Sequence, residues 1–337
     1  MVVHTERVSD DPDDPAIWVH PTDTARSLIL GTNKVKAPKG ALVAFGLDGK
    51  TRQTVAGLDR PNNVDIEYGL RAGGRDIDVA VATERLKSQL RIFKIAPDGS
   101  GITETTSSGN TRVFAGREGE QAAPMGISLY RRARDGVIFA IVAPKSGPRE
   151  GYLGQYRLEE DEQGGIKATF VRYFGRFSGV GEIEAVAVDD ALGYVYYADE
   201  GDGIHKYHAD PEHADAGREL AHFGRTGFRA DREGIAIYER NDGTGYIVCT
   251  DQLSGNSEYH VFRREGEPGQ PHDHNTRLKV VRGGADSTDG IEISSRPLGP
   301  MFPAGLMVTM NSSGRNFLFY RWEDIAVAGS AKLAIGR

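Results

Sequence analysis

Short runs of alternating apolar and polar residues, separated by Gly, Asp and Asn, recur along the whole chain. One of them, residues 231–237 (DREGIAI), places acidic residues just before an alternating segment. Runs of about five residues joined by such turn-forming residues predict β-strands in hairpins. Helical periodicity is limited to one turn near the end, at residues 322–326 (WEDIA). The pattern therefore predicts an all-β protein.

An acid placed before an alternating strand returns at a regular interval. The acids that begin these units are Asp14, Asp65, Glu184, Glu233 and Asp289. One more unit begins in the long gap after Asp65, at residues 125–130, where Met125 takes the acid's place. The interval is about 50 residues, which is typical of a four-stranded β-propeller blade. We predict a six-bladed β-propeller, mostly with four antiparallel strands per blade, as a single domain over residues 1–337; a two-sheet sandwich or a β-helix explains the repeat less well.

The composition narrows the class of protein. Glycine provides 43 of the 337 residues, about twice its usual share, and this favours many tight turns. The net charge of −7 argues against a nucleic-acid binder, which carries a basic face, and suits a protein that binds cations. Cys249, the single cysteine, lies in a strand pattern, so we expect it to be buried as a small apolar residue. Apolar runs stay well short of the about 18 residues of a membrane span.

The repeated acids predict a metal site. The first strand of each propeller blade lines the central channel, so equivalent strand ends form a ring at one mouth. The predicted ring consists of Asp14, Asp65, Glu184, Glu233 and Asp289, with Met125 in the sixth place. Further oxygen ligands near the same rim are Asp13, Glu200, Asp231 and Gln252. Crowded carboxylates repel one another unless cations compensate, and oxygen ligands suit calcium. Any one of these acids could instead be a solvent-facing turn residue, but that interpretation does not explain the repeat.

Three basic residues end the second strands of the first three units. They are Lys34, Arg85 and Lys145, and they occupy equivalent positions. The mouth would therefore be basic on one half and acidic on the other. Lysine and arginine side chains pair with phosphate oxygens. A metal ion bridges and polarises the same phosphate oxygens. Both halves of the mouth therefore suit a phosphate group.

At this point the chain resembles a known family, the β-propeller phytases, from about residue 10 to residue 325. The resemblance is carried by residues 13–18 (DDPAIW), 32–34 (TNK) and 60–65 (RPNNVD), together with the acid-led strands. It implies a six-bladed propeller and a calcium-dependent phosphomonoester hydrolase that acts on inositol hexakisphosphate (phytate). It also implies direct attack on phosphorus by a calcium-bound water.

The resemblance assigns roles residue by residue. The implied ligands of several calcium ions are Asp13, Asp14, Glu184, Glu200, Asp231, Glu233, Gln252 and Asp289, to which we add Asp65 from the repeat. The implied substrate-binding bases are Lys34, Arg85 and Lys145. We expect Glu184, Asp289, Lys34 and Arg85 to be the catalytic residues. We also expect a secreted or periplasmic monomer whose signal peptide is missing from this sequence. The net charge and the short apolar runs predict no nucleic-acid or membrane partner.

One departure keeps other functions open. The family usually has a tyrosine where this chain has Met125, and methionine neither donates a hydrogen bond to phosphate nor offers calcium a hard oxygen. A propeller that binds a phosphorylated ligand without turnover is one alternative. A calcium-dependent lactonase or esterase on the same fold is another, although such an enzyme has no use for three bases at blade ends.

His272 and His274 form a possible metal pair, but their Gly- and Pro-rich loop predicts an exposed turn.

Overall fold

Six sheets of four antiparallel strands follow one another in the computed structural model, which describes residues 1–329 and 331–336. Blade one contains β2 (Pro12–Trp18), β3 (Leu28–Asn33), β4 (Gly40–Gly46) and β5 (Thr51–Leu58). Blade two contains β6 (Pro61–Ala72), β7 (Arg75–Glu84), β8 (Gln89–Ile95) and β9 (Ile102–Glu104). Blade three contains β10 (Pro124–Arg131), β11 (Ile138–Pro144), β12 (Glu150–Glu160) and β13 (Ile166–Arg176).

The remaining blades repeat this order. Blade four contains β14 (Val186–Asp189), β15 (Tyr194–Asp199), β16 (Gly203–His208) and β17 (Ala221–Phe223). Blade five contains β18 (Ile235–Glu239), β19 (Gly245–Asp251), β20 (Glu258–Arg263) and β21 (Arg277–Arg282). Blade six contains β22 (Ile291–Ser294), β23 (Leu306–Asn311) and β24 (Asn316–Arg321), and its outer strand is β1 (Val3–His4) from the opposite end of the chain. The short helix α1 (Trp322–Val327) follows β24.

The first strand of each blade contacts the first strands of both neighbouring blades, so the six sheets close into a ring. Closure depends on β1, which pairs antiparallel with β24 through Val3 opposite Phe319. The prediction of a six-bladed, all-β propeller is therefore confirmed, as is the helical turn near residue 322. The single-domain assignment over residues 1–337 stays a prediction. No helix among the described residues has the length and apolarity needed to cross a membrane.

The core lies between the faces of adjacent sheets rather than in one central cluster. Each of six apolar clusters joins two neighbouring blades; for example, Trp18 and Leu30 of blade one pack with Ala80 and Phe93 of blade two. This arrangement follows from strand alternation, because alternate residues point to opposite faces of a sheet. Cys249 is fully buried in such a cluster, as predicted.

The loop that carries His272 and His274 differs from its prediction. His274 is buried rather than exposed: its Nδ1 lies 2.7 Å from the carbonyl oxygen of Arg263, and its Nε2 lies 3.0 Å from Nζ of Lys206. Lys206 also donates to the carbonyl oxygen of Pro271 at 2.8 Å. The loop therefore folds over the buried lysine, a long-range contact that the Gly- and Pro-rich composition does not reveal.

This buried lysine gives a pH dependence with a definite sign. Burial lowers the pKa of Lys206 to about 7, whereas an unfolded lysine has a pKa of about 10.4. Between these values the unfolded chain binds more protons, so Lys206 makes the free energy of unfolding rise with pH. Lys206→Met should flatten that rise in denaturant titrations at about pH 7 and about pH 9.5. The exposed Lys50→Met is the control, and an unchanged pH slope in Lys206→Met would contradict the prediction.

Candidate active site

Bulges at the start of three first strands set the orientation of the mouth residues. In β2, three steps from Pro12 to Pro15 face only two steps of β3, and the same irregularity occurs between Pro61 and Val64 of β6. The first strand of blade three shows it as well. A bulge adds one residue to a strand and turns a side chain away from the regular alternation. Residues at the same distance from the start of two first strands are therefore not structurally equivalent when only one of the strands has a bulge.

The strand pairing corrects the predicted ring in two places. Counted from the matching pairs of first and second strands, the equivalent positions are Asp13, Asn62, Met125, Glu184, Glu233 and Asp289. Asp14 and Asp65 were assigned to the ring wrongly, because the bulges place them one and three residues further along. The equivalence of Lys34, Arg85 and Lys145 at the ends of second strands is confirmed by the same pairing.

Asp14 and Asp65 instead connect first strands inside the channel. Asp14 Oδ2 accepts a hydrogen bond from the backbone N–H of Val64 at 3.0 Å. Asp65 Oδ2 accepts from the backbone N–H of Leu129 at 2.6 Å and from Ser128 Oγ at 3.0 Å. Each carboxylate thus links its blade to the next one. Burial raises the pKa of both carboxyls, that of Asp65 to about 6. A metal-binding role for these two residues stays a prediction.

Lys34 bridges the first and last blades. Its Nζ pairs with the carboxylate of Asp13, and it lies 3.3 Å from Oδ2 of Asp289. The side chain of Lys34 is 15% exposed and that of Asp13 1% exposed. Burial alone would lower the pKa of Lys34, but the negative charges of Asp13, Glu184 and Asp289 raise it above its ordinary value. The lysine is therefore a fixed positive charge among carboxylates.

Glu184 joins this cluster from the opposite side. Asn62 Nδ2 donates to Glu184 Oε2 at 3.0 Å, and Arg85 Nη1 donates to Asn62 Oδ1 at 3.3 Å. Burial raises the pKa of Glu184, and the positive charge of Lys34 opposes that shift. Arg85 is half-buried, and for this basic group burial lowers the pKa. Asn62 consequently connects a base of blade two to an acid of blade four.

The acidic half of the mouth lies in blades four to six. Gln252 Nε2 donates to Asp289 Oδ1, and Glu200 accepts a hydrogen bond from the backbone N–H of Glu182 at 2.8 Å. Burial, together with the charges of Glu184, Glu200 and Asp289, raises the pKa of Glu233 well above its usual value. Burial also raises the pKa of Glu200 to about 7. Repulsion among these carboxylates is thus only partly relieved by protein groups.

Two predicted residues lie at the edge of this cluster. The ammonium of Lys145 pairs with the carboxylate of Glu182. Asp231 is exposed, and its backbone carbonyl accepts from the N–H of Gln252 at 3.0 Å. Its negative charge still contributes to the raised pKa of Glu200. The predicted bases and acids therefore do share one mouth, with Lys145 and Asp231 at its rim.

Several carboxylate oxygens at the mouth fit a bound cation. Within the described residues, Oδ2 of Asp13 and Oε2 of Glu233 are buried and accept no hydrogen bond, whereas Oδ1 of Asp13 pairs with the ammonium of Lys34. An unsatisfied buried acceptor is costly and requires a partner. Beneath the ring the channel encloses a cavity of about 230 Å³, which Glu184 and Glu233 line from above. The donor set is almost entirely oxygen, which suits a hard divalent cation.

Sequence reasoning missed Asn62 and Glu182. Asn62 lies in the motif at residues 60–65, but Asp65 was taken as the unit's first polar ligand in its place. Glu182 lies two residues before Glu184, and a search for acids next to the predicted ring could have found it. Met125 is fully buried in the ring position of blade three, and its carbonyl oxygen accepts from Thr83 Oγ1 at 2.9 Å.

Fold and site together define a class of protein: a six-bladed β-propeller with basic side chains and buried carboxylates at one channel mouth. The family model described as Phytase matches residues 3–335, and the chain belongs to the phytase family. A 3-phytase of Bacillus subtilis (strain 168) is 30% identical over 334 residues, which cover 94% of this chain and 81% of that protein. The protein is therefore a phosphoric monoester hydrolase with a phosphorylated small-molecule substrate, and its family indicates a metal cofactor.

Solved structures are less similar. BBS1N in complex with ARL6DN, soaked with mercury, is 11% identical with a TM-score of 0.47, and the match covers 92% of this chain and 77% of that one. The periplasmic gluconolactonase PpgL of Pseudomonas aeruginosa is 12% identical with a TM-score of 0.46, and the match covers 81% of this chain and 71% of that one.

The central lysine gives a stability prediction. Lys34→Met removes the cation from a buried group of carboxylates, and breaking such a pair typically costs about 3–5 kcal/mol. We expect a loss of that order in the free energy of unfolding, measured by denaturant titration in the presence of a chelator. The control is Lys39→Met, whose side chain is 70% exposed beside Asp10 and should change stability by less than about 1 kcal/mol. Equal losses in the two variants would refute a stabilising role for the buried cation.

Proposed function

We propose that this protein hydrolyses inositol hexakisphosphate and that the reaction depends on calcium. The observation that carries the proposal is the channel mouth, where buried carboxylate oxygens without hydrogen-bond partners adjoin Lys34 and Arg85. The phytase family match supports phytate as the substrate class. The oxygen-rich donor set supports calcium over softer metals.

The proposed metal ligands divide into three groups. Asp13, Glu184, Glu233 and Asp289 belong to the ring, and Glu200, Asp231 and Gln252 surround it from blades four and five. Asp14 and Asp65 lie deeper in the channel. Calcium held by these residues would supply positive charge that polarises phosphoryl oxygens and lowers the pKa of a water molecule, which would be the nucleophile. Glu184 and Asp289 are proposed as catalytic because both face Lys34 across the mouth.

The bases would hold the phosphate groups. Lys34 has three N–H donors, and its ion pairs fix the ammonium at the boundary between the acidic and basic halves. Arg85 presents a planar set of donors that matches phosphate oxygens. Lys145 lies at the rim, where it could contact a second phosphate group of the same substrate. The inositol ring would thus lie across the mouth with different phosphates on different blades.

Location and assembly belong to the same proposal. We propose a secreted or periplasmic monomer whose partner is the phosphorylated small molecule rather than a nucleic acid or a membrane. A single propeller domain over residues 1–337 is consistent with the ring closure through β1 and β24.

The metal requirement is tested by phosphate release from phytate. Chelation should abolish release and calcium should restore it, because the mouth carboxylates would otherwise repel the anionic substrate. Glu184→Gln should lower kcat by at least about 100-fold, the size of effect seen when a group acting on developing charge is removed. The control is Glu239→Gln at the opposite end of the channel, which should retain activity. Full activity in chelator would refute calcium dependence, and turnover of lactones without phosphate release would favour the esterase alternative.

The substrate-binding role of Arg85 has a kinetic signature. Arg85→Met should chiefly raise KM for phytate while kcat changes little, because a group that binds ground state and transition state alike contributes to affinity alone. The matched control is Lys87→Met, two residues away, whose side chain is 57% exposed and pairs with Asp59. Steady-state kinetics under saturating calcium would measure both. If Lys87→Met raised KM as much as Arg85→Met, the change in KM would reflect the loss of positive charge in general rather than a specific contact between Arg85 and phosphate.

A further inference from the structure

A second group of ligand-type side chains lies in blade four, on the strands away from the channel. His205 of β16 and His222 of β17 are directly paired across the two strands. Asp202 lies in the turn between β15 and β16. One ligand atom from each of the three residues lies within 4.8 Å of the others. Cross-strand pairing brings Cβ atoms to about 4.5–5.5 Å, so the two imidazoles are held together by the backbone.

His205 is prepared as a metal ligand. Its ring is buried, and Nδ1 lies 2.8 Å from a carboxylate oxygen of Glu219. A carboxylate can only accept here, so Nδ1 carries a proton, and the lone pair that this tautomer can offer a metal is on Nε2. Within the described residues, that buried Nε2 has no hydrogen-bond partner. A carboxylate that fixes the tautomer of a ligating histidine is a recurrent feature of metal centres.

His222 and Asp202 complete the group from the solvent side. The His222 ring stacks on that of His205 with centroids 4.3 Å apart and planes inclined by 11°. Its Nε2 is buried, without a hydrogen bond among the described residues, and lies 3.4 Å from Asp202 Oδ2. The other oxygen of Asp202 is 3.3 Å from Arg225, a largely exposed side chain. Asp202 is partly exposed, which leaves a route for an ion to enter.

Blade five shows what a similar group looks like when it is already neutralised. Asp251, Glu258 and His260 are also close together there. Arg277 Nη1 lies 3.2 Å from His260 Nδ1, and Arg229 pairs with Glu258 at 2.8 Å. Both oxygens of Asp251 accept backbone N–H groups. Arg277 occupies the lone pair on Nδ1, so the proton of the neutral ring lies on Nε2, which has no hydrogen-bond partner among the described residues. Because the two carboxylates and this lone pair already have partners, blade five serves as an internal contrast.

We propose that Asp202, His205 and His222 form a second metal site that binds Zn²⁺ through two imidazole nitrogens and one carboxylate. Two nitrogens and one oxygen are a usual zinc donor set, with water completing the tetrahedron, whereas calcium prefers oxygen alone. The stacked rings turn about χ2 on binding, because both lone pairs must point at one ion. The ion then ties the outer strand β17, only three residues long, to β16 and the turn before it.

Titration calorimetry with zinc chloride tests the site in the presence of saturating calcium chloride, which fills hard-cation sites at the channel mouth. We expect one zinc per chain in the wild type. His222→Gln and Asp202→Asn should each weaken that binding by at least about tenfold, and Glu219→Gln should weaken it by about 10- to 100-fold. The control is His213→Gln, which removes an exposed histidine from the same blade and should leave binding unchanged.

Two results would overturn the proposal: no zinc binding by the wild type, or equal affinity in the wild type, His222→Gln and Asp202→Asn. Thermal unfolding supplies a second readout that does not use catalysis. Zinc should raise the Tm of the wild type and of His213→Gln but not that of His222→Gln or Asp202→Asn, because a ligand stabilises the state that binds it. Since calcium and phytate play no part in zinc binding, failure here leaves the proposed hydrolytic function untouched.

Discussion

The close convergence of the six first strands is the constraint on which the rest of the structure depends. At the seam between blades six and one, the N–H of Gly290 donates to the carbonyl oxygen of Asp13 at 3.1 Å. A Cβ on Gly290 would overlap the side chain of Asp14, and one on Gly126 would overlap the backbone of Glu184. These glycines let neighbouring strands meet backbone to backbone. With β1 on β24, they close the ring and bring Asp13 next to Asp289.

Convergence has an electrostatic consequence. Acids that are about 50 residues or more apart in the chain become neighbours in a buried site. The resulting desolvation and mutual repulsion raise the pKa values of Asp13 and Glu233. Lys34 offsets part of this cost because it contacts an acid on each side of the seam. The remaining carboxylate oxygens keep their capacity to bind a cation. The geometry that makes the carboxylates repel one another therefore also leaves oxygen atoms that suit a cation.

The sequence was sufficient to predict the blades and much of the site, and the predictions that were wrong have physical causes. Strand alternation and turn residues depend on local chemistry, so the six units and the second-strand positions of Lys34 and Arg85 could be predicted. The bulges could not be predicted, because an extra residue in a strand leaves the local composition unchanged. The bulges nevertheless decide that Asp13 and Asn62 occupy the ring positions. Pairings between distant segments were also hidden. The burial of His274 over Lys206 and the pairing of His205 with His222 depend on contacts that only the closed fold creates.

Met125 shows how the ring tolerates a break in its own pattern. The methionine is buried in the position where the other five blades carry a polar side chain, so a gap in the polar network would be expected there. Instead, Asn62 of blade two reaches Glu184 of blade four directly, at 3.0 Å, past the position of blade three. Asn62 also accepts from Arg85, so the basic half remains connected to the acidic half without a hydroxyl or carboxylate at residue 125. The division of the mouth thus follows from blade order: bases on blades one to three, acids concentrated on blades four to six, and Lys34 at the seam where the two halves meet.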